Sequence, residues 1–462
     1  MASLVSNGVG SGLDVNGLVT QLVAAERAPI EARLTRLDAK LTTEFTALSQ
    51  FKGALSSFRS VVQGLEESTA FALRKTSTSD ETVLSGTATG AAAPGVYAVE
   101  VLQLAQASQL SSAAFAGGGS STVGTGTLVL AQGSSSIELT IDSSNNTLEG
   151  IRDAINSATG NPGIRATLIN AADGARLVLG GGATGAANAL RITTRGGDGG
   201  LAQLVYDPPT TANLSVLAAA QDAQLKVAGF TINSATNTVD GAVDGITLNL
   251  AKAAPGTHVS FSVLDDSAGR KAKLDGFVKA WNTLAGSLGK LRSYDAQTQA
   301  AGPMIGDSLL MGTESALRRL LGSSTEGAGA YGSLSSLGIS VKLDGTLALD
   351  ATKLASAEAA QPGAVAAVFA GENGLAARLE AQLARVLAAD GDIALRDKGI
   401  STRRKDLESR QEALELRMVS IQTRYLKQFS ALDTLLARMQ TTASYLTQQL
   451  ATSTQLAKDS GN

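Results

Sequence analysis

The chain has 462 residues, 44% of them hydrophobic and 17% charged, which is enough to bury two or three cores and excludes wholesale disorder. The formal net charge is −3 and the longest basic run is Arg403-Arg404-Lys405, so the broad positive footprint of a nucleic-acid binder is missing. There is no cysteine, which rules out disulfides and thiolate chemistry, and no 18-residue apolar run, so no membrane-spanning helix is expected.

The chain opens MASLVSNGVGSGLDVNG. Its glycines at Gly8, Gly10, Gly12 and Gly17 do not spell G-x-G-x-x-G, and no strand precedes them, so they do not make a dinucleotide fingerprint. A flexible leader is expected, followed by a helix capped by Asp14 or Asn16. The first thirty or so residues lack a basic region followed by an apolar core, so no cleaved secretory signal is expected, and passage out of the cell needs a dedicated route. From Leu18 to Leu65 the pattern is helical. Leu18, Leu22 and Ala25 start a stripe that continues through Ile30, Leu34, Leu37, Leu41, Phe45, Leu48, Phe51, Leu55, Phe58, Val62 and Leu65 in steps of three and four. Pro29 either occupies the first turn of a second helix or kinks a single one.

From Thr76 to Asp265 the chain reads as β. Strands are expected at Gly95–Leu104, Gly126–Leu130, Ser136–Ile141, Ile164–Ile169, Arg176–Leu179, Ala223–Val227 and Ile246–Leu250. Asp173-Gly174, Asp244-Gly245 and Pro255-Gly256 mark turns. One helix interrupts at NNTLEGIRDAINSATG, with Thr147 as N-cap, Leu148, Ile151 and Ile155 as its buried face and Gly160 at its end. Tyr206-Asp207-Pro208-Pro209-Thr210-Thr211 reads as a linker between two β subdomains.

Helical patterning returns after Asp266. In FVKAWNTL, Trp281 shares a face with Phe277 and Leu284, which points to core packing. A hairpin is expected over Gly338–Leu349, turning at Asp344-Gly345. The last stripe runs Leu407, Gln411, Leu414, Met418, Ile421, Tyr425, Phe429, Leu432, Leu436, Met439, Ala443, Leu446 and Leu450. Its steps alternate four and three except at Ile421–Tyr425–Phe429, where two fours in a row form a stutter that locally unwinds a left-handed supercoil. Such a stripe needs a partner, and the N-terminal helix and neighbouring copies are the natural ones.

Convergent catalytic residues are hard to assemble. His258 is the one histidine, in a strand pattern over Thr257–Val263, and a triad or histidine metal site would rest on it alone. Asp265-Asp266 and Asp390/Asp392 sit in turn-like contexts rather than as an acid–base pair. Gly180–Gly185 lacks the Lys-Ser/Thr of a phosphate loop and reads as a loop, and Arg195–Gly200 carries a single glycine-rich turn where calcium-binding repeats need stacked copies. No cofactor, metal or catalytic site is assigned, and the chain is not expected to be an enzyme.

Several stretches, in this order, resemble the FliD family of flagellar filament cap proteins, also called hook-associated protein two. They are GSGLDVNGLVTQLVAAERAPI (Gly10–Ile30), SSNNTLEGIRDAINSATGNPGIRATLINAADGARLVLGG (Ser143–Gly181), AQDAQLKVAGFTINSATNTVDGAVDGITLNLAKAAPGT (Ala220–Thr257), FVKAWNTL, LGISVKLDGTLALDATKL (Leu337–Leu354) and QFSALDTLLARMQTTASYLTQQL (Gln428–Leu450). Trp281 departs from the other aromatic that the family often carries there. The resemblance implies an α+β multidomain chain: long paired terminal helices forming a coiled coil (1–45 and 406–462), a helical leg domain (46–75 with 266–405), and two β-rich head domains (76–107 with 216–265, and 108–215, inserted, with one helix). It implies a homo-oligomeric ring, commonly a pentamer, at the distal tip of the extracellular flagellum. There the cap retains exported flagellin and promotes its folding and insertion. Hook-filament junction proteins and the flagellar type III export apparatus with its chaperone are the further implied partners, and some members bind host mucin. The expected coil and oligomerisation residues are Leu18, Leu22, Leu34, Leu37, Leu41, Phe45, Ile421, Tyr425, Phe429, Leu432, Leu436, Met439, Leu446 and Leu450. Another axial flagellar protein, flagellin or a junction protein, and a glycan-binding adhesin remain the alternatives.

Overall fold

The computed structural model describes residues 14–297 and 299–459, so Gly8, Gly10 and Gly12 lie outside the described residues. The α-helices are, in chain order, α1 (Val15–Gln63), α2 (Leu148–Ser157), α3 (Ser267–Arg292), α4 (Ser308–Leu321), α5 (Ala351–Ala360), α6 (Ala364–Phe369), α7 (Leu375–Leu387) and α8 (Asp392–Asp459). The chain forms two compact units, Met1–Glu66 with Leu274–Asn462, and Glu67–Lys273. The second unit is β-rich and the first helical, which makes the chain α+β.

The β-rich unit holds two cores. The first lies between a five-stranded sheet, ordered Arg74–Thr78, Val259–Asp265, Gly95–Gln103, Ala223–Val227 and Phe230–Ser234, and a three-stranded one of Thr238–Val243, Ile246–Leu250 and Leu84–Ala88. Val99, Val101, Leu225, Leu248 and Phe261 are buried between them. Alternation explains the strand Ala223–Val227 (AQLKV), whose first, third and fifth residues are buried. The second core is closed by a five-stranded sheet, a four-stranded sheet and α2. The Thr147 hydroxyl accepts from the amide of Gly150 (3.1 Å), and Leu148, Ile151 and Ile155 are buried, which is the expected cap and face. The helix stops at Ser157, before Gly160.

Three readings of this region need correction. The turn expected at Asp173-Gly174 lies one residue earlier, at Ala172-Asp173, because Gly174 already pairs with Ala171. Gly180–Thr184 is not a loop but the end of the strand Gly174–Thr184. Glycine is required there by close backbone approach, since a Cβ on Gly182 would meet the backbone of Gly163 at 2.7 Å. Tyr206–Thr211 is not a linker either. Tyr206-Asp207 and Thr211-Ala212 pair as a small hairpin on the strand Leu190–Arg195, and Asp207 forms an ion pair with Arg191. Pro208, Pro209 and Thr210 form its turn. The chain crosses between the two cores near Gln106 and Gln221, which bridge each other.

In the helical unit, Phe58 of α1, Phe277 and Trp281 of α3 and Phe369 of α6 form a buried aromatic cluster. Ring centroids are 5.8 Å (Phe58–Phe277), 5.6 Å (Phe58–Trp281) and 5.1 Å (Phe277–Phe369) apart. Arg59 of α1 donates its Nε to both carboxylate oxygens of Glu380 of α7 at 2.9 Å. The hairpin Ile339–Val341/Leu347–Leu349 is fastened to α3. Trp281 Nε1 donates to the Gly345 carbonyl (2.9 Å), and the Asn282 amide exchanges two bonds with the Leu347 backbone. Its turn lies one residue earlier than expected. Gly345 N donates to Lys342 O (2.9 Å), so Leu343 and Asp344 occupy the centre and Gly345 follows with φ +83°. The positive φ favours glycine at this position, and a Cβ here would also push the Arg318 guanidinium aside.

Trp281 thus joins the core to the hairpin. Trp281→Ala should destabilise the chain by about 3–5 kcal/mol in urea unfolding. A loss under about 1 kcal/mol would place the weight of the core elsewhere.

Candidate functional site

The first and last helices of the chain pair. α1 and α8 run antiparallel, as three pairs require: Glu44 with Arg403 (3.1 Å), Arg27 with Glu415, and Glu26 with the hydroxyl of Tyr425 (2.6 Å). Leu34 and Leu41 of α1 are buried with Leu407, Leu414, Met418 and Ile421 of α8, and Val23, Ile30 and Tyr425 pack against them. Asp14 caps α1 by accepting from the amide of Gly17 (2.9 Å), and α1 is continuous through Pro29. α8 begins at Asp392, earlier than the stripe suggested, runs through Gly399, and adds Ile393 and Ile400 to the buried residues.

The expected coil residues divide into three sets. Leu34, Leu41 and Ile421 are in the seam, with Tyr425 half-buried beside them. Leu18 and Leu22 are turned off it, each 39% exposed, while their neighbours Val19 and Val23 face inward. The segment LVTQLV offers an apolar residue at both phases one residue apart, so spacing alone cannot choose between them. Leu37 and Phe45 are likewise partly exposed, and the Arg404 guanidinium stands 5.8 Å from the Phe45 ring centroid. Phe429 and Leu436 are half-buried, whereas Leu432, Met439, Leu446 and Leu450 are exposed, together with Leu435 and Tyr445. The cause is geometric. α1 starts at Val15, eleven residues before Glu26, so it runs out opposite the region of Leu436. α8 continues to Asp459, about 35 Å further at 1.5 Å per residue.

The stutter lies at the level of Pro29. Tyr425, at its centre, bonds Glu26, and Pro29 lies less than one turn further along α1. The break in the stripe of one helix and the missing backbone donor of the other therefore meet at the same level of the pair.

The rejected chemical candidates are structural. Asp265 pairs with Arg74 (3.0 Å) and Arg270, and the guanidinium of Arg270 holds its carboxyl below the usual carboxylate range. Asp266 accepts from the amide of Gly269 (2.8 Å), and Asp392 opens α8. His258 is exposed and precedes the strand Val259–Asp265 rather than lying in it. Among the described residues no group of three or more His, Cys, Asp or Glu is placed to hold a metal ion. No described helix is long and apolar enough to cross a membrane.

The bond to the Glu26 carboxylate, reinforced by burial, raises Tyr425 above the ordinary tyrosine value of about 10. A group whose folded value is raised stabilises the fold fully below its unfolded value, and that stabilisation is lost as pH rises through the folded value. Tyr425→Phe should therefore melt below the parent chain near neutrality, and the gap should close above about pH 10. Melting curves followed at the helical circular-dichroism band check this, and a pH-independent gap would exclude the bond as its source.

The family profile described as flagellar hook-associated protein 2 N-terminus matches residues 11–108, and the one described as its C-terminus matches residues 220–441. An A-type flagellar hook-associated protein 2 of Pseudomonas aeruginosa is 34% identical over 99% of this chain and 99% of its own length. The flagellar hook-associated protein 2 of Escherichia coli K12 is 32% identical over 97% of this chain and 98% of its own. A crystal structure of the D1-D2-D3 domains of the flagellar cap protein FliD from Escherichia coli superposes with a TM-score of 0.68. It is 29% identical and covers 77% of this chain and 99% of its own. The chain belongs to the flagellar hook-associated protein 2 family.

Proposed function

We propose that this chain is a structural cap at the distal tip of the bacterial flagellum, assembled from several copies outside the cell, and that it retains exported flagellin and promotes its folding and insertion into the growing filament. The observation that carries this reading is the match to hook-associated protein 2 along nearly the whole chain, head and paired ends together. In this reading 1–45 and 406–462 form the tether, 46–75 with 266–405 the leg, and 76–107 with 216–265 and 108–215 the plate. Five copies are the expected count. Flagellin, the hook-filament junction proteins and the flagellar type III apparatus with its chaperone are the partners. The unpaired seam of α8 from Leu432 to Leu450 is then the face that meets neighbouring chains, because exposed Leu and Met at helical spacing favour burial by roughly 1.5–3 kcal/mol each.

Purified chain added to cells that lack their own cap and leak unpolymerised flagellin should restore filaments. Unchanged leakage at saturating protein would reject the reading, and long helical polymers of the chain alone would point to flagellin or a junction protein instead.

The stutter supplies a second test. Deleting Leu426–Phe429 returns the stripe to strict alternation of four and three. If a change of phase at this level matters for stepping, electron microscopy should record filaments shortened severalfold in cells carrying the deletion. Filaments of normal length would remove the stutter from the mechanism.

A further inference from the structure

Two features of the helical unit have no use within the chain. The first is the tip of the hairpin Ile339–Leu349. Leu343 is fully exposed, at 109% of its reference area, and Val341 beside it is more than half exposed. An apolar side chain on a surface is ordinary, but this one is held out on a fixed support. Lys342 N donates to Thr346 O (2.8 Å), the Asp344 carboxylate accepts from the amide (2.9 Å) and hydroxyl (2.6 Å) of Thr346, and Trp281 fastens Gly345. Binding through a preformed tip loses little conformational entropy.

The second feature is a groove between α1 and α3, with a volume of about 700 Å³. That is within the range of clefts that enclose a ligand-sized group, about 300–1,000 Å³. Its walls include Gly53 and Ser57 on α1 and Gly276 and Ala280 on α3, over the edge of the buried Phe58 and Leu284. Gly53 and Gly276 lie inside helices, yet a Cβ at either would meet nothing within 4 Å. No neighbour in the chain requires glycine there, although glycine is the poorer helix former by about 1 kcal/mol relative to alanine. Gly286, Gly289, Gly312 and Gly399, away from the groove, are equally open, so the openness alone does not mark a site; at Gly53 and Gly276 it leaves room for close approach by a group from outside the chain. The groove carries Lys279 and Lys290 and no carboxylate. The tip carries Asp344, whose bonds to Thr346 hold it below the usual carboxylate range and so charged.

We infer that Leu343 of one copy inserts into the α1–α3 groove of the next, with Asp344 facing Lys279 and Lys290. Leu343 is fully exposed, so it does not fill the groove of its own chain and is free to meet that of another copy. A contact between two different patches is heterologous, and it closes into a ring when the rotation permits. The inference rests on the proposed homo-oligomeric cap and names the surfaces through which its copies meet.

The chain has no cysteine of its own, so introduced ones report cleanly. Leu343→Cys and Ala280→Cys chains, purified separately, mixed and mildly oxidised, should give a mixed disulfide dimer. Leu343→Cys with Leu395→Cys, an exposed position on α8, is the control and should give far less. Leu343→Asp should weaken self-association in sedimentation equilibrium by about tenfold or more, while its thermal melt stays that of the parent. A mixed disulfide no more abundant than the control, in a parent chain that sediments as a closed oligomer, overturns the inference and leaves the cap reading standing. A parent chain that stays monomeric at every concentration overturns both.

Discussion

The antiparallel pairing of α1 with α8 is the constraint on which the rest of the chain depends. Glu26 and Tyr425 are 399 residues apart in sequence and 2.6 Å apart in space. Closing so long a loop is less severe than its length suggests, because the entropic cost grows only with the logarithm of length. What holds it is apolar. Leu34, Leu41, Leu407, Leu414, Met418 and Ile421 are buried, at roughly 1.5–3 kcal/mol each. The ion pairs Arg403–Glu44 and Arg27–Glu415 are largely exposed and contribute at most about 1 kcal/mol apiece. The seam therefore sets stability, and the charges set register. Once the ends are joined, Glu67–Lys273 is an excursion from the helical unit, entered after α1 and left through α3.

How much of this was legible in the sequence depended on whether one physical signal dominated locally. Thr147 and the Leu148/Ile151/Ile155 face were legible because cap and periodicity agree. Trp281 was legible because a large aromatic on a striped face has few alternatives to burial. Strands such as Ala107–Ser111 (ASQLS) and Leu84–Ala88 (LSGTA) were missed, because small and polar residues carry little β preference and their neighbours across the sheet decide. The hairpin was found, but its turn was set one residue too late. Asp-Gly is a strong two-residue turn signal, whereas the bonds Gly345 N to Lys342 O, Lys342 N to Thr346 O and Thr346 to the Asp344 carboxylate close a longer loop. Tyr206–Thr211 misled for a related reason. Two prolines suggest an open linker, and only the Arg191–Asp207 pair, distant in sequence, shows a turn folded back on a sheet.

The coil residues show the same limit more sharply. In LVTQLV both phases of the helix are apolar, and the choice of Val19 and Val23 over Leu18 and Leu22 is made by α8. Where the partner is a defined helix of the same chain, its register can be read from the structure. Beyond Leu436 no described helix of this chain faces α8, and the apolar stripe continues with Met439, Leu446 and Leu450 exposed. Periodicity there records a demand for burial without naming what meets it.

The apolar surfaces left open differ in grade, and the difference matters for a cap that must hold its place and yet advance. The α8 extension presents several large side chains in a line, and burying them together is worth several times the association gain of one leucine. The α1–α3 groove is walled by glycine, alanine and serine over the edges of Phe58 and Leu284. It offers close approach but little area, so an insertion there is worth a few kcal/mol before the entropy of association is subtracted. A contact of the first kind persists through cycles of movement. If the inferred insertion repeats around a ring, each joint of the second kind is weak enough to exchange. Under the proposed role, long-lived attachment belongs to the helices at the ends of the chain, and the exchange of contacts as subunits are added belongs to the small-residue surfaces of the leg. Under that role the glycines at Gly53 and Gly276 admit a neighbouring copy closely while adding no side-chain area to the contact.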